Sequence, residues 1–173
     1  MSIFVDALRA ATTLRTDHPT DFDTLATTPV AFHYINDGHH LHYEHPTIEL
    51  ADPVKTIILN DAERPIDHIN YSPPFQAPLL LSSTLPAFYP ALARFTSLLE
   101  APDSTYTYTL QEGDAVLFDN RRVLHARTAF QDRLGDEGGK EDTNRWLKGC
   151  YLEADALLDR GRVLRAKADK GLL

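Results

Sequence analysis

The chain has 173 residues, a length that favours one domain, residues 1–173, with a buried core of useful size. Its formal net charge of −8 at pH 7 argues against a nucleic-acid partner, because such binders usually carry a basic patch. The single cysteine, Cys150, excludes an internal disulfide, and no apolar run could cross a membrane, so we expect a cytoplasmic protein without a membrane partner.

The N-terminal segment predicts a strand followed by two helices. Residues 2–5 are extended in pattern, and residues 6–14 place alanine and leucine at helical spacing. Residues 21–25 form a second short helix that Pro19 opens, with Thr20 as its N-cap. We therefore expect a short strand that leads directly into a helical pair.

A β-hairpin is predicted next. Residues 29–35 alternate well enough for a strand, residues 36–38 read Asn-Asp-Gly, and residues 39–43 supply the return strand. Residues 47–50 and 54–59 are further short strands.

The middle of the chain predicts a long helix and then more strands. Residues 83–100 place large apolar side chains at helical spacing. Residues 105–110 alternate threonine and tyrosine, with Tyr106 and Tyr108 on one face, a pattern typical of packing in a strand. Residues 115–118 form a short apolar strand after a turn.

The C-terminal part predicts a strand that carries His125, then a flexible acidic loop over residues 131–144. Another strand covers residues 146–152, where Cys150 is expected to be a small core residue, and residues 153–170 are helical. Many short strands with a few helices predict a mainly β fold of the sandwich or jelly-roll type.

His125 and Arg145 are the first candidates for chemistry. Val123 and Leu124 anchor the strand before His125, so its ring would be held rigidly, as a metal ligand needs. A hydrogen-bonded structural histidine is the alternative. Arg145 opens an apolar run, where a guanidinium needs a partner, and it could bind a dicarboxylate through two parallel hydrogen bonds. Arg127 is a competing candidate, and a plain surface charge remains the alternative for Arg145.

The densest imidazole cluster spans residues 39–45. His40, His42 and Glu44 share one face of a strand, a spacing suited to zinc, iron or copper. A small metal-binding jelly roll that uses this cluster, with His125 as a further ligand, is therefore one hypothesis. An exposed polar strand is the alternative.

Two motifs together resemble a known family. The run from Asp119 to Arg127 (DNRRVLHAR) follows Gly113-Asp114, and RWLKGCY at residues 145–151 precedes an acidic helix start. These resemble the taurine dioxygenase-like (TauD/TfdA) superfamily of Fe(II)/2-oxoglutarate oxygenases, and the chain looks like the branch of gamma-butyrobetaine and trimethyllysine dioxygenases. The resemblance implies the C-terminal part of a double-stranded β-helix (jelly roll, cupin-like) that is incomplete at its N-terminus. It also implies Fe(II) and 2-oxoglutarate as cofactors and a cytoplasmic or mitochondrial location.

The resemblance also implies roles for particular residues. His125 is the distal histidine of the iron triad, Arg145 binds the far carboxylate of 2-oxoglutarate, and Ser2 lies near that cosubstrate. Tyr151 matches an aromatic residue that helps to enclose a quaternary ammonium, for which the cation–π attraction is the physical basis. Asn70 is a candidate contact to a small substrate of carnitine synthesis, whose C–H bond would be hydroxylated.

The rest of the family's metal site is missing from the sequence. No His-x-Asp motif occurs, and the single His-x-Glu, residues 42–44, matches a different region of the family. A 2-His-1-carboxylate site needs all three ligands. A non-catalytic truncated remnant or binding module is therefore a second hypothesis. An incomplete sheet would expose strand edges, which favour a homo-oligomer.

Overall fold

A computed structural model of the chain describes residues 1–52, 64–78, 85–129 and 147–172. Its helices and strands are β1 Ser2–Asp6, α1 Ala7–Asp17, α2 Pro19–Thr27, β2 Pro29–Asn36, β3 His39–Pro46, β4 Ile48–Leu50, β5 Ile66–Ile69, α3 Leu85–Leu99, β6 Thr105–Tyr108, β7 Val123–Arg127 and α4 Ala154–Ala168. The strand, helical pair, hairpin and final helix predicted from the sequence are confirmed, with bounds that differ by a few residues.

The chain divides into two compact units, Met1–Ala129 and Phe130–Leu173. In the larger unit, the described strands form three small antiparallel sheets, with orders β6-β1-β7, β2-β3 and β4-β5. The described residues mix helices with small antiparallel sheets and are not mainly β as predicted, and these strands do not close into a barrel, so the jelly roll remains a family expectation. No helix among the described residues is long and apolar enough to cross a membrane.

Two predicted strands do not form. Residues 115–118 and 147–152 are apolar in part, but neither segment pairs with a neighbour among the described residues. Apolar sequence alone does not make a strand, because each strand needs a partner for its backbone groups. After the first of these segments, Asp119 Oδ1 instead accepts a hydrogen bond from the Arg121 backbone N–H at 2.9 Å, which turns the chain locally.

The prediction of Thr20 as an N-cap was wrong. Helix α2 begins at Pro19, which occupies the first helical turn, and His18 is the capping residue. Proline at this position has a suitable φ and lacks only an N–H that the helix would leave unpaired. The predicted strand at residues 54–59, residues 83–84 of the long helix and the acidic loop at residues 131–144 lie outside the described residues.

The buried core lies in the larger unit, where helices α1, α2 and α3 pack with strands β2, β4 and β5. Helices α1 and α3 bury residues at three- and four-residue spacing, which places them on one face of each helix. On α1 these are Ala7, Ala10, Ala11 and Leu14, and on α3 they are Phe88, Ala91, Phe95 and Leu99. The core supports the inner face of the β6-β1-β7 sheet, since Val5 and Leu124 pack against it.

Asp6 fixes the junction between β1 and α1. Its carboxylate caps α1 by accepting a hydrogen bond from the Arg9 backbone N–H at 3.2 Å. The Arg122 guanidinium donates to the same carboxylate at 2.8 Å, and the Ala7 N–H donates to the Arg122 carbonyl. The hydrogen bond from Arg122 is the main reason why the pKa of Asp6 lies below its usual value. This contact joins the first helix to the residue that precedes β7.

Candidate functional site

The outer face of the β6-β1-β7 sheet carries the candidate site. In the antiparallel register, Phe4 lies opposite Tyr106 on one side and His125 on the other. Ser2 lies opposite Tyr108 and Arg127 in the same way. Directly opposed residues share a sheet face, so all six side chains belong to this face. We call it the His125 face.

His125 is exposed and lies beside aromatic side chains. Its ring centroid is 5.2 Å from that of Phe118, which in turn contacts Phe4 edge-on with centroids 5.6 Å apart. An open cavity of ≈ 300 Å³ occupies this face, lined by Phe4, Tyr106, Tyr108, Val116, Phe118 and Val123. The arrangement presents an imidazole from a paired strand next to an apolar cavity, as a site for a small organic molecule requires.

His125 is the one histidine that the described strands place on this face. No group of three His, Cys, Asp or Glu side chains that could hold a metal ion occurs among the described residues. The full sequence also lacks a His-x-Asp motif. His125 therefore suits an iron ion as one ligand, but these residues do not form a complete iron site by themselves.

Ser2 and Arg127 lie at the same end of the His125 face. Ser2 is buried, whereas Arg127 is exposed. The chain terminus is tied down here, because the Met1 ammonium donates to Thr128 Oγ1 at 2.9 Å and the Thr128 N–H donates to the Met1 carbonyl at 3.1 Å. Arg145, the first candidate for the carboxylate of 2-oxoglutarate, lies outside the described residues, and Arg127 is the described arginine of this face.

Tyr106 and Tyr108 stack on each other with centroids 6.4 Å apart, and both are exposed. The Tyr108 hydroxyl donates to Asp114 Oδ2 at 3.1 Å, and this hydrogen bond raises the pKa of Tyr108. The residue pattern predicts that these two tyrosines pack in the strand, and the structure shows that they also line the cavity of the His125 face. The alternation of residues along β1 and β6 predicts which side chains share a face within each strand. Only the strand register shows which face of β1 continues which face of β6.

Asn70 is buried and forms the centre of a polar network. Its amide nitrogen donates to the Pro46 carbonyl and to Glu49 Oε2, both at 3.0 Å. Arg121 donates to the Asn70 amide oxygen at 3.1 Å and lies 3.5 Å from the same Glu49 oxygen. Both amide hydrogens are thus engaged within the protein. Contact of Asn70 with a substrate remains a prediction, and its described contacts are structural.

His45 borders this network. Its ring lies 5.1 Å from Phe32 and 4.8 Å from Tyr43, measured between centroids. Burial lowers the pKa of His45, and it outweighs the opposite effect of Glu49, whose carboxylate is 3.8 Å from Nδ1. That distance is too long for a hydrogen bond, and the buried Nδ1 has no hydrogen-bond partner among the described residues.

The remaining predicted residues belong to β3 and to the smaller unit. His40, His42 and Glu44 are exposed on β3, which belongs to a different sheet from β7. In the smaller unit, Tyr151 is 87% exposed. Cys150 is exposed as well, so its prediction as a core residue was wrong: the described residues of this segment, 147–152, form no strand and are all exposed.

Residues 1–151 match the family model described as "Taurine catabolism dioxygenase TauD, TfdA family". Over 95% of its length the chain is 54% identical to the dioxygenase str8 of Strobilurus tenacellus, of which it covers 36%. It is 34% identical to the gamma-butyrobetaine dioxygenase of Pseudomonas sp. (strain AK-1), with 95% of the chain and 38% of that protein aligned. It is 27% identical to the mitochondrial trimethyllysine dioxygenase of Gallus gallus, with 96% and 37% aligned. The chain thus spans less than half the length of these relatives.

Proposed function

The chain belongs to the TauD, TfdA family of dioxygenases, and we propose that it carries part of the reaction site of an Fe(II)/2-oxoglutarate-dependent hydroxylase. The observation that supports this most directly is the position of His125. Its exposed imidazole lies on a paired strand and contacts Phe118, which lines an apolar cavity, with a buried serine and an arginine on the same face. Such a rigid placement suits a metal ligand.

Each residue then has a defined task. Iron and 2-oxoglutarate, when bound, would supply the oxidising chemistry for hydroxylation of an unactivated C–H bond. His125 would offer a neutral ring nitrogen to the metal, and β1 and β7 would fix its direction. Arg145 would bind the far carboxylate of 2-oxoglutarate through two parallel hydrogen bonds, with Arg127 as the alternative. Ser2 would border the cosubstrate.

We propose a small substrate with a trimethylammonium group. The names of the gamma-butyrobetaine and trimethyllysine dioxygenases support this class, and so do the aromatic faces of Phe4, Tyr106 and Phe118 around the cavity. A quaternary cation is attracted to such faces, and Tyr151 would add another. In a binding measurement by NMR, we expect gamma-butyrobetaine to bind more tightly than its neutral-headed tert-butyl analogue. Equal affinity of the two compounds would contradict the proposal.

A second candidate function, a non-catalytic binding module, follows from the small number of metal-binding side chains. With one imidazole on the described face and no His-x-Asp motif in 173 residues, the chain alone would bind a small molecule without oxidising it. The two candidates differ in what happens when the missing donors are supplied. A hydroxylase portion gains iron binding through His125, whereas a binding module does not.

The test is an anaerobic titration with Fe(II) and 2-oxoglutarate that follows the metal-to-cosubstrate absorption band in the visible range. We expect no band from the 173-residue chain alone. We expect a band when the part of the Strobilurus tenacellus relative that precedes its aligned region is fused before Met1, as the proposal requires that part to supply the missing donors. His125→Ala should abolish that band, and His39→Ala, at an exposed histidine on another sheet, should leave it unchanged.

Three results would change the conclusion. A band from the chain alone would mean that residues outside the described ranges complete the site. A folded fusion protein without a band would favour the binding module. A band that survives His125→Ala would remove His125 from the site. Circular dichroism of each variant separates these results from a loss of folding.

A further inference from the structure

We propose that the outer face of the β2–β3 hairpin holds a divalent transition-metal ion between His33 and His42. The two residues lie directly opposite each other in the antiparallel register. His33 is half-buried and His42 is exposed. The sequence drew attention to the crowded histidines of β3, but it did not show that β2 adds His33 across from them.

The turn of the hairpin determines how close this pair is. Asp37 and Gly38 form a two-residue loop with φ of 51° and 77°, which is the type I′ geometry. The residues that flank such a loop, Asn36 and His39, form a hydrogen-bonded pair, and pairs then alternate along the ladder. Three steps from the loop, His33 and His42 are therefore a non-hydrogen-bonded pair, with Cα atoms about 4.5 Å apart.

The two faces of the hairpin have different characters. One face carries Phe32, Tyr43 and His45, and the His45 ring contacts each of the other two rings. The opposite face carries His33 and His42, and the neighbours of His42 along β3 on that face are His40 and Glu44. His45 thus packs into the protein, and the histidines of the outer face are directed away from that packing.

The donor set selects the class of metal. Imidazole nitrogen suits Zn²⁺, Cu²⁺ and Ni²⁺ better than it suits Mg²⁺ or Ca²⁺. No three-donor group is assembled among the described residues, so the proposed site has two protein ligands, and solvent completes the coordination. A chelate across the strands would also hold together a two-stranded sheet, which is marginally stable on its own.

This site is separate from the iron site of the proposed function. His33 and His42 belong to the β2-β3 sheet, and His125 belongs to the β6-β1-β7 sheet. Loss of one site therefore leaves the other in place. His125→Ala should leave metal binding at the hairpin unchanged, so failure of one proposal does not decide the other.

The first test is calorimetric titration of the purified chain with Zn²⁺. We expect His33→Ala and His42→Ala each to weaken binding by at least roughly tenfold, since the second imidazole binds as an intramolecular ligand. The matched control is His39→Ala, an exposed histidine of the same hairpin on the other face, which should retain the affinity of the parent chain. Circular dichroism without metal verifies that each variant is folded.

The second test counts the ligands. Electron paramagnetic resonance of the Cu²⁺-loaded chain should show hyperfine coupling to two histidine nitrogens, and His33→Ala should reduce this to one. Full affinity in His33→Ala would overturn the proposal and place any site along β3 alone. An equal loss of affinity in His39→Ala would also overturn it, because binding would then be diffuse over the hairpin.

Discussion

His45 couples folding to pH through the burial of one imidazole. Its pKa is lowered from 6.5, mainly by burial, so the folded protein holds that proton less tightly than the unfolded chain does. Between the lowered pKa and 6.5 the unfolded state binds more protons, and the free energy of unfolding therefore falls as pH falls through this window.

We expect His45→Gln to make the free energy of unfolding less sensitive to pH in that range. The measurement is urea unfolding at a series of pH values from neutral to mildly acidic. His39→Gln, at an exposed position of the same strand, should keep the parent's pH dependence. An unchanged slope in His45→Gln would mean that other groups cause the acid sensitivity.

We expect Asn70 to stabilise the folded protein, independently of any contact with a substrate. Asn70→Ala removes the hydrogen bond to the half-buried Pro46 carbonyl and the one from Arg121, which keeps its contact with Glu49. We expect a loss of about 1–3 kcal/mol in the free energy of unfolding, mainly because the Pro46 carbonyl loses this donor. Asn70→Asp should also destabilise, since its carboxylate would face Glu49. Chemical denaturation measures both, and an Asn70→Ala variant of parental stability would favour the substrate role.

At the residue scale, a local motif is enough to single out a candidate, but the role of His125 as a metal ligand stays a prediction. The sequence singled out His125, and the structure places it on an exposed face. Phe118 lies close to His125 in the sequence and reaches it across a local turn. The sequence did not reveal Phe4 as the other neighbour on that face, because that contact depends on the pairing of β1 with β7, which are far apart in the sequence. His33 was missed for the same reason: a single strand shows its own alternation, but not its partner.

At the scale of elements, Asp6 should control how α1 begins. We expect Asp6→Ala to lower the free energy of unfolding by about 1 kcal/mol through loss of the helix cap. The pKa of Asp6 is lowered in the folded state, so its contribution is present above the unfolded value and is lost as pH falls through the folded one.

The Asp6→Asn variant separates the effect of the helix cap from the effect of the ion pair with Arg122. An asparagine still caps the helix, but it has no charge for Arg122, so the acid-dependent part of the stability should disappear while most of the cap remains. Urea unfolding at neutral and strongly acidic pH gives both values. An identical acid dependence in Asp6→Asn and the parent chain would show that the contact with Arg122 contributes nothing to stability.

Strand edges give a further expectation. In the β6-β1-β7 sheet, β6 and β7 are the outer strands among the described residues, and exposed strand edges promote association between chains. We expect the purified chain to form concentration-dependent homo-oligomers in sedimentation velocity. A single monomeric species at all concentrations would contradict this.

Prediction of elements failed where pairing decides the outcome. Residues 115–118 have the composition of a strand, but they border a cavity and pair with nothing among the described residues. Helices were easier to predict, because their hydrogen bonds lie within one segment and their apolar spacing is local. The hairpin was also predicted correctly, because its signal is local. The loop sequence favours positive φ, which Asp37 and Gly38 adopt between two strands that are adjacent in the sequence.

At the scale of the whole molecule, the first strand of the chain lies between two of the last strands of the larger unit. β1 pairs with β6 on one side and with β7 on the other. Chain segments that are distant in sequence must therefore meet before this sheet exists, and such non-local pairing slows folding. The β2–β3 hairpin needs only a two-residue loop, and isolated hairpins form in about 1–10 μs.

The order of assembly follows from this topology. During synthesis, β1 is made before β6 and β7, its two partners among the described strands, so this sheet cannot form until both have been made. In refolding followed by pulsed hydrogen exchange, we expect amides of β2 and β3 to gain protection before those of β1 and β7. The reverse order would show that early long-range contacts guide the chain. His125 would thus reach its final surroundings late, after the helices have provided a surface on which the last strands can settle.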